Sequence, residues 1–180
     1  MPIKQHALIK RVGKLVLLVE DILISKPSFS MLRNPVHLLA LGLGSGLSPK
    51  APGTVGSAVA LVLLWLCGPN LVDWYWLIAI SASLIGIPIC AYCSKSLGGQ
   101  DHKAIVWDEF AGVWLAVMLI PYNLVWWLAA FVLFRIFDIA KPWPISWADK
   151  NLHGGLGIML DDIIAGLITA VILLAVQSLL

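Results

Sequence analysis

The chain has 180 residues, 60% of them hydrophobic and only 12% charged, where soluble domains carry about a quarter charged residues, and its mean hydropathy is +0.92. That length fits one domain, and that composition is a membrane protein's. The net charge of +2 is too small for a nucleic-acid surface, so binding to nucleic acid is excluded. At the N-terminus, residues 1–33 hold Lys4, Lys10, Arg11, Lys14, Lys26 and Arg33, a basic flank of the kind retained on the cytoplasmic side. Its apolar centre is short and broken by Glu20 and Asp21, with no small-residue cleavage site. It therefore reads as a basic arm or amphipathic helix and not as a secretion signal. The helical domain is expected over residues 34–180.

Residues 36–47 are apolar, Gly-rich and short, the pattern of a partial or re-entrant helix. Five apolar segments follow at 53–67, 71–93, 110–120, 122–137 and 163–180. The turns "GPN" at 68–70 and "PYN" at 121–123 fold them into helical hairpins. With a cytoplasmic N-terminus, five spans return the 94–109 and 138–162 loops to the inside. Lys50, Lys95, Lys103, Lys141 and Lys150 then all fall on that side, as the positive-inside rule requires. Trp65, Trp74, Tyr75, Trp76, Tyr122, Trp126 and Trp127 gather near the outer ends, like an interfacial belt. The expected fold is all-α: a multi-pass membrane helix bundle with about five short spans and an active-site layer at the cytoplasmic face. Several runs fall short of the roughly 20 residues a span needs, so the bundle sits shallowly or its inner ends extend beyond the lipid. No segment alternates with period two, which argues against a β-barrel. Cys67, Cys90 and Cys93 read as small buried hydrophobes, because the C-x-x-C at 90–93 has neither a βαβ setting nor a neighbouring His.

Seven of the ten acids lie between residues 101 and 162, in the inner loops or at the helix ends beside them. Asp108 and Glu109 in "IVWDEFAG" open the third long helix, and Asp161 and Asp162 open the fifth. Acids are favoured at such N-termini by the helix dipole. One cap accounts for one acid of each pair, but neighbours point about 100° apart, so the second is open to a ligand role. Asp138 in "FRIFDIAKPWPI" is different, since a helix C-terminus disfavours an acid. Arg135, Asp138 and Lys141 share one helix face at i, i+3 and i+6. They form either a structural ion-pair cluster or a metal ligand flanked by phosphate-binding cations. In "GLGSGLSPKAPGTVGS", residues 42–57, Thr54 can cap the next helix and leave its amides as an anion site near Lys50. The same glycines fit tight helix packing equally well, and the run is neither a Walker A motif nor a dinucleotide fingerprint.

This set suits phosphoryl chemistry. Mg²⁺ needs only one or two carboxylates plus substrate phosphate oxygens, and Arg or Lys neutralises charge on the transferred group. His102 or His153 is available to protonate the leaving alkoxide, although a lone His beside Gly also serves as a loop hydrogen bonder. There is no Cys-x5-Arg, no D-x-D and no "PSGH" block, so direct attack of water is expected in place of a covalent intermediate. The alternative is a membrane cation transporter, whose acids line an ion path at mid-span depth or pair across inverted repeats.

Four motifs in order, "NPVHLLALGLGSGLSPKAPGTVGS", "DHKAIVWDEFAGVW", "FRIFDIAKPWPISWADKNLHGG" and "GIMLDDIIAG", make the chain from about residue 34 onward resemble the bacterial phosphatidylglycerophosphatase A family. The resemblance implies a Mg²⁺-dependent phosphatase of the bacterial inner membrane that converts the phospholipid phosphatidylglycerophosphate to phosphatidylglycerol. The family's acidic positions fall on Asp108, Glu109, Asp138, Asp161 and Asp162 as metal ligands. Asp108, Asp138, Asp161 and His153 are the catalytic candidates, and Arg135, Lys141, Lys50 and Thr54 the substrate-binding ones.

Overall fold

Asn34 opens the first helix for two local reasons: its side chain accepts a hydrogen bond from the Val36 amide at 2.9 Å, and Pro35 fixes the first helical φ. The structure, a computed structural model, describes residues 26–99 and 101–180. The expected arm or amphipathic helix falls largely on residues 1–25, outside the described residues. A 3-10 helix, Phe29–Arg33, precedes α1 (Pro35–Ala40), and a second, Gly42–Leu47, follows it. The long elements are α2 (Pro52–Leu66), α3 (Tyr75–Ser96, entered through the 3-10 helix Pro69–Trp74), α4 (Trp107–Val117) and α5 (Leu124–Ala140). Short α6 (Ile145–Asn151) and long α7 (Gly154–Ser178) complete the chain. No strand occurs among the described residues, so the all-α expectation holds.

Five apolar helices correspond to the five expected segments, but only Pro69–Ser96 and Gly154–Ser178 are long and apolar enough to cross a membrane unaided. At 1.5 Å per residue, α2, α4 and α5 reach about 17 to 26 Å, short of a ~30 Å hydrocarbon core. The expected cap of α2 also differs. Helix α2 starts at Pro52, with Ala51 as its N-cap and no side-chain cap bond. The locked φ of Pro52 begins the helix two residues before Thr54 can cap it.

Helix α7 is the hub, packed on α3, α4, α5 and α6. Glycine makes the closest crossings possible. A Cβ on Gly155 would lie 2.0 Å from the Ile87 carbonyl oxygen, and one on Gly166 would lie 2.3 Å from that of Gly112. Bare backbones therefore touch where α7 meets α3 and α4. The Gly-rich run works in the same way. A Cβ on Gly46 would fall 2.0 Å from the Ala104 oxygen, and the Val106 amide donates to the Ala40 oxygen at 2.9 Å. The run thus braces the loop leading into α4.

At the opposite end of the bundle, Trp65 stacks on Tyr122 at 4.1 Å between ring centroids. Trp127 packs edge-on against Trp65 and Tyr75. The expected belt is therefore divided: Tyr75 and Trp127 are fully buried and close the end of the bundle, while Trp74 and Trp76 are exposed. Leu84, Ile85, Val132, Ile136 and Val171 also face outward, giving a broad apolar exterior suited to lipid contact. Cys90 and Cys93 are buried as expected, but Cys67 is exposed, because α2 ends just before it and it sits in the turn to the next helix.

Candidate active site

Asp161 and Asp162 do not open their helix. Helix α7 begins at Gly154 with His153 as N-cap, and its first turn contains no acid. The stretch "GGLG" after His153 enters the helix because Gly155 and Gly157 fit against Ile87 and Leu152. Both acids therefore lie about two turns inside α7 and are buried. Neither is a cap, and both need another partner.

Asp108 and Glu109 do sit in the first turn of α4, whose N-cap Val106 contributes no side-chain bond. Their side chains are in hydrogen-bond contact with each other, and those of Asp138 and Asp162 are likewise in contact. Two carboxylates this close cannot both stay ionised without a proton or a cation between them. Ligand oxygens of Asp108, Glu109 and Asp162 all lie within 4.8 Å of one another. Asp108 Oδ1, Glu109 Oε2 and Asp161 Oδ1 are buried without a hydrogen-bond partner. Buried acceptors left unpaired at this density fit a hard, oxygen-seeking cation.

These acids line a cavity of about 240 Å³ together with Asp101, Asp138, Lys103, Arg135 and Lys141. Arg135, in the last turns of α5, contacts Asp138 Oδ2 at 2.5 Å and donates to Ser57 Oγ at 3.3 Å. The start of α2 closes one wall. A Cβ on Gly53 would meet Glu109 Oε1 at 2.2 Å and Arg135 Nη1 at 3.4 Å, so only glycine lets α2 approach. Lys141 terminates α5 in a left-handed conformation, φ 44, which turns its side chain back toward α7. Its Nζ reaches Asp149 Oδ1 at 2.5 Å and Asp161 Oδ2 at 2.6 Å. Burial pulls the Lys141 ammonium toward a lower pKa, but the bonds to Asp149 and Asp161 outweigh it and hold the group above the ordinary lysine value.

The cavity thus unites Asp108, Glu109, Asp138, Asp161, Asp162, Arg135 and Lys141. Lys50 and Thr54 are not among the residues that line it. Lys50 is exposed, and Thr54 faces an apolar groove with Val55, Ala58 and Val59. His153 lines a neighbouring cavity, and His102 Nδ1 accepts from the Ala104 amide at 3.1 Å, a local turn bond. Sequence reasoning counted Asp101 and Asp149 in the acid layer and Lys103 among the inner-loop cations, but gave none of them, nor Ser57, a role in the site. Ser57 was findable, since it lies one helical turn beyond Gly53 and so shares its face.

The model of the family Phosphatidylglycerophosphatase A matches residues 38–177. The chain is 51% identical over 143 residues to the phosphatidylglycerophosphatase A of Escherichia coli (strain K12), covering 78% of this chain and 82% of that protein. It is 42% identical over 151 residues to the phosphatidylglycerophosphatase A of Haemophilus influenzae, covering 81% and 91%. A third relative, from Bacteroides thetaiotaomicron, is 38% identical over 158 residues, covering 83% and 95%, and is provisionally described as a phosphatidylinositol-3-phosphatase. No solved structure matches the chain.

Proposed function

We propose that this chain, which belongs to the phosphatidylglycerophosphatase A family and is a phosphatase, hydrolyses the phosphomonoester of phosphatidylglycerophosphate by direct attack of water with the help of Mg²⁺. The products are phosphatidylglycerol and phosphate. The observation that carries this reading is the carboxylate trio with ligand atoms within 4.8 Å of one another, lying in one cavity with Arg135 and Lys141.

Asp108, Glu109 and Asp162 would hold the ion, with Asp138 and Asp161 beside them. When bound, Mg²⁺ supplies Lewis acidity to the phosphoryl group and a lowered pKa to its water. Arg135, steadied by Asp138 and Ser57, offers its guanidinium to the phosphoryl oxygens. Lys141, shared between Asp149 and Asp161, adds a positive charge that offsets charge on the transferred group. The unpaired Asp161 Oδ1 accepts the hydrogen bond that orients the attacking water.

In this reading α2, α3, α4, α5 and α7 all enter the bilayer, with the acid end at the cytoplasmic face. Support comes from Lys50, Lys95, Lys103, Lys141 and Lys150 at the acid end and from the aromatic cluster at the other. Asp101, Asp108, Glu109, Asp138, Asp161 and Asp162 gather in one cavity and are not strung along the bundle, so the cation-transporter alternative finds no support.

The test is phosphate release from phosphatidylglycerophosphate by the purified protein in detergent. Release should require Mg²⁺ and stop with EDTA. Ion flux in proteoliposomes without phosphate release would overturn the phosphatase reading. Faster turnover of phosphatidylinositol 3-phosphate would move the substrate to an inositol lipid.

A further inference from the structure

Six carboxylates and three cations line the cavity of the candidate active site. Two of the three cations are already committed to neighbours. Arg135 holds Asp138 and Ser57, and Lys141 is shared between Asp149 and Asp161. The third, Lys103, has neither an ion pair nor a side-chain hydrogen bond among the described residues. Its charge is unspent.

The turn that carries Lys103 is nonetheless fixed. The Ala104 amide donates to His102 Nδ1 at 3.1 Å. The Ile105 amide donates to the His102 oxygen at 2.8 Å, and the Val106 amide to the Ala40 oxygen at 2.9 Å. Ala104, Ile105 and Val106 are buried, whereas Lys103 is exposed. A braced backbone therefore presents a long, flexible stem and a free ammonium on the open side of the cavity.

Phosphatidylglycerophosphate carries two anionic groups: the phosphomonoester that is cleaved, and the phosphodiester that joins its glycerol to the diacylglycerol. In the phosphatase reading Arg135 and Lys141 serve the first. The second would meet Asp101, a lining acid two residues before Lys103, with Lys103 as the remaining lining cation to offset both charges. A hydrogen bond from an ammonium to a phosphate oxygen is charge-assisted and strong. The charge of the diester is the same before and during cleavage, so such a bond holds ground state and transition state equally.

We propose that Lys103 binds the phosphodiester of the lipid substrate and is a specificity-determining residue for the part of the headgroup that does not react. The proposal rests on the lipid phosphatase reading and adds to it the recognition of the second phosphate.

The full-length protein in nonionic detergent micelles tests this with phosphatidylglycerophosphate as substrate and inorganic phosphate, which has no diester, as inhibitor. Lys103→Ala should raise the KM for the lipid about tenfold while kcat changes by less than about twofold, the signature of lost uniform binding. The inhibition constant of phosphate should also move by less than about twofold. Lys103→Arg, which keeps the positive charge, should recover most of the lost affinity. Lys150→Ala removes an exposed lysine that does not line the cavity and should leave the KM unchanged. An unchanged KM in Lys103→Ala, or an equal rise in Lys150→Ala, would overturn the diester contact. So would a fall in kcat or an equal shift in the phosphate constant, either of which would place Lys103 on the transferred phosphate. A wild-type protein that hydrolyses other phosphomonoesters yet leaves phosphatidylglycerophosphate intact would instead overturn the lipid phosphatase reading itself.

Discussion

Asp162 touches Asp138 and lies within 4.8 Å of ligand oxygens on Asp108 and Glu109, so its charge is tied to three other acids. Asp162→Asn keeps the shape and removes the charge, and it should lower kcat/KM by at least about a hundredfold, as losing a metal ligand does. Wild-type turnover in both Asp162→Asn and Asp108→Asn would remove these acids from the site. Arg135 is held by two partners of different kinds, Asp138 and Ser57. Arg135→Lys keeps the charge but loses the planar fork, and kcat should fall about tenfold or more. Lys141 gives a pH prediction with a definite sign. Its folded pKa lies above the ordinary lysine value, so its ion pairs contribute stability that is fully present below about pH 10 and lost as the pH rises through the folded value. The alkaline limbs of the pH–rate profiles of wild type and Lys141→Arg should therefore superimpose up to about pH 10. A limb present below that pH in wild type and absent in Lys141→Arg would show that the ammonium titrates early.

At the scale of elements, helix positions were legible in the sequence and helix starts were not. Apolar runs and turn tripeptides located all five long helices. The starts moved because they depend on what a segment packs against. Pro52 begins α2 ahead of Thr54, and Gly155 lets α7 run as helix close beside α3, two turns before the acids. That shift turned Asp161 and Asp162 from expected caps into a buried wall. The crossings themselves are testable. Gly166→Ala puts a methyl group into the Gly112 carbonyl and should cost about 1–3 kcal/mol, seen as a lower melting temperature in detergent. It should also reduce turnover, because α7 carries Asp162 one helical turn from that crossing. A variant that melts and turns over like wild type would mean that the crossing relaxes freely.

For the whole molecule, the proposed orientation, with the acid end cytoplasmic, can be tested with native thiols. Cys67 is exposed in the turn after α2, while Cys90 and Cys93 are buried. A membrane-impermeant maleimide applied from outside should label Cys67 and spare the other two. Labelling from the cytoplasmic side alone would invert the bundle. The sequence by itself determined that the chain is helical and apolar, that seven of its ten acids fall in or beside the same loops as Lys103, Lys141 and Lys150, and that its four motifs resemble one family. These follow from composition and from periodicity along a single helix, which depend only on local geometry. Only the tertiary structure decided which acids meet, that Lys50 and Thr54 stand apart, that Ser57 steadies Arg135, and that His153 belongs to a second cavity. Distances between side chains on different helices depend on where those helices cross. Those crossings are decided by close contacts at Gly53, to side chains, and at Gly155 and Gly166, to backbone, between residues that lie far apart in the chain.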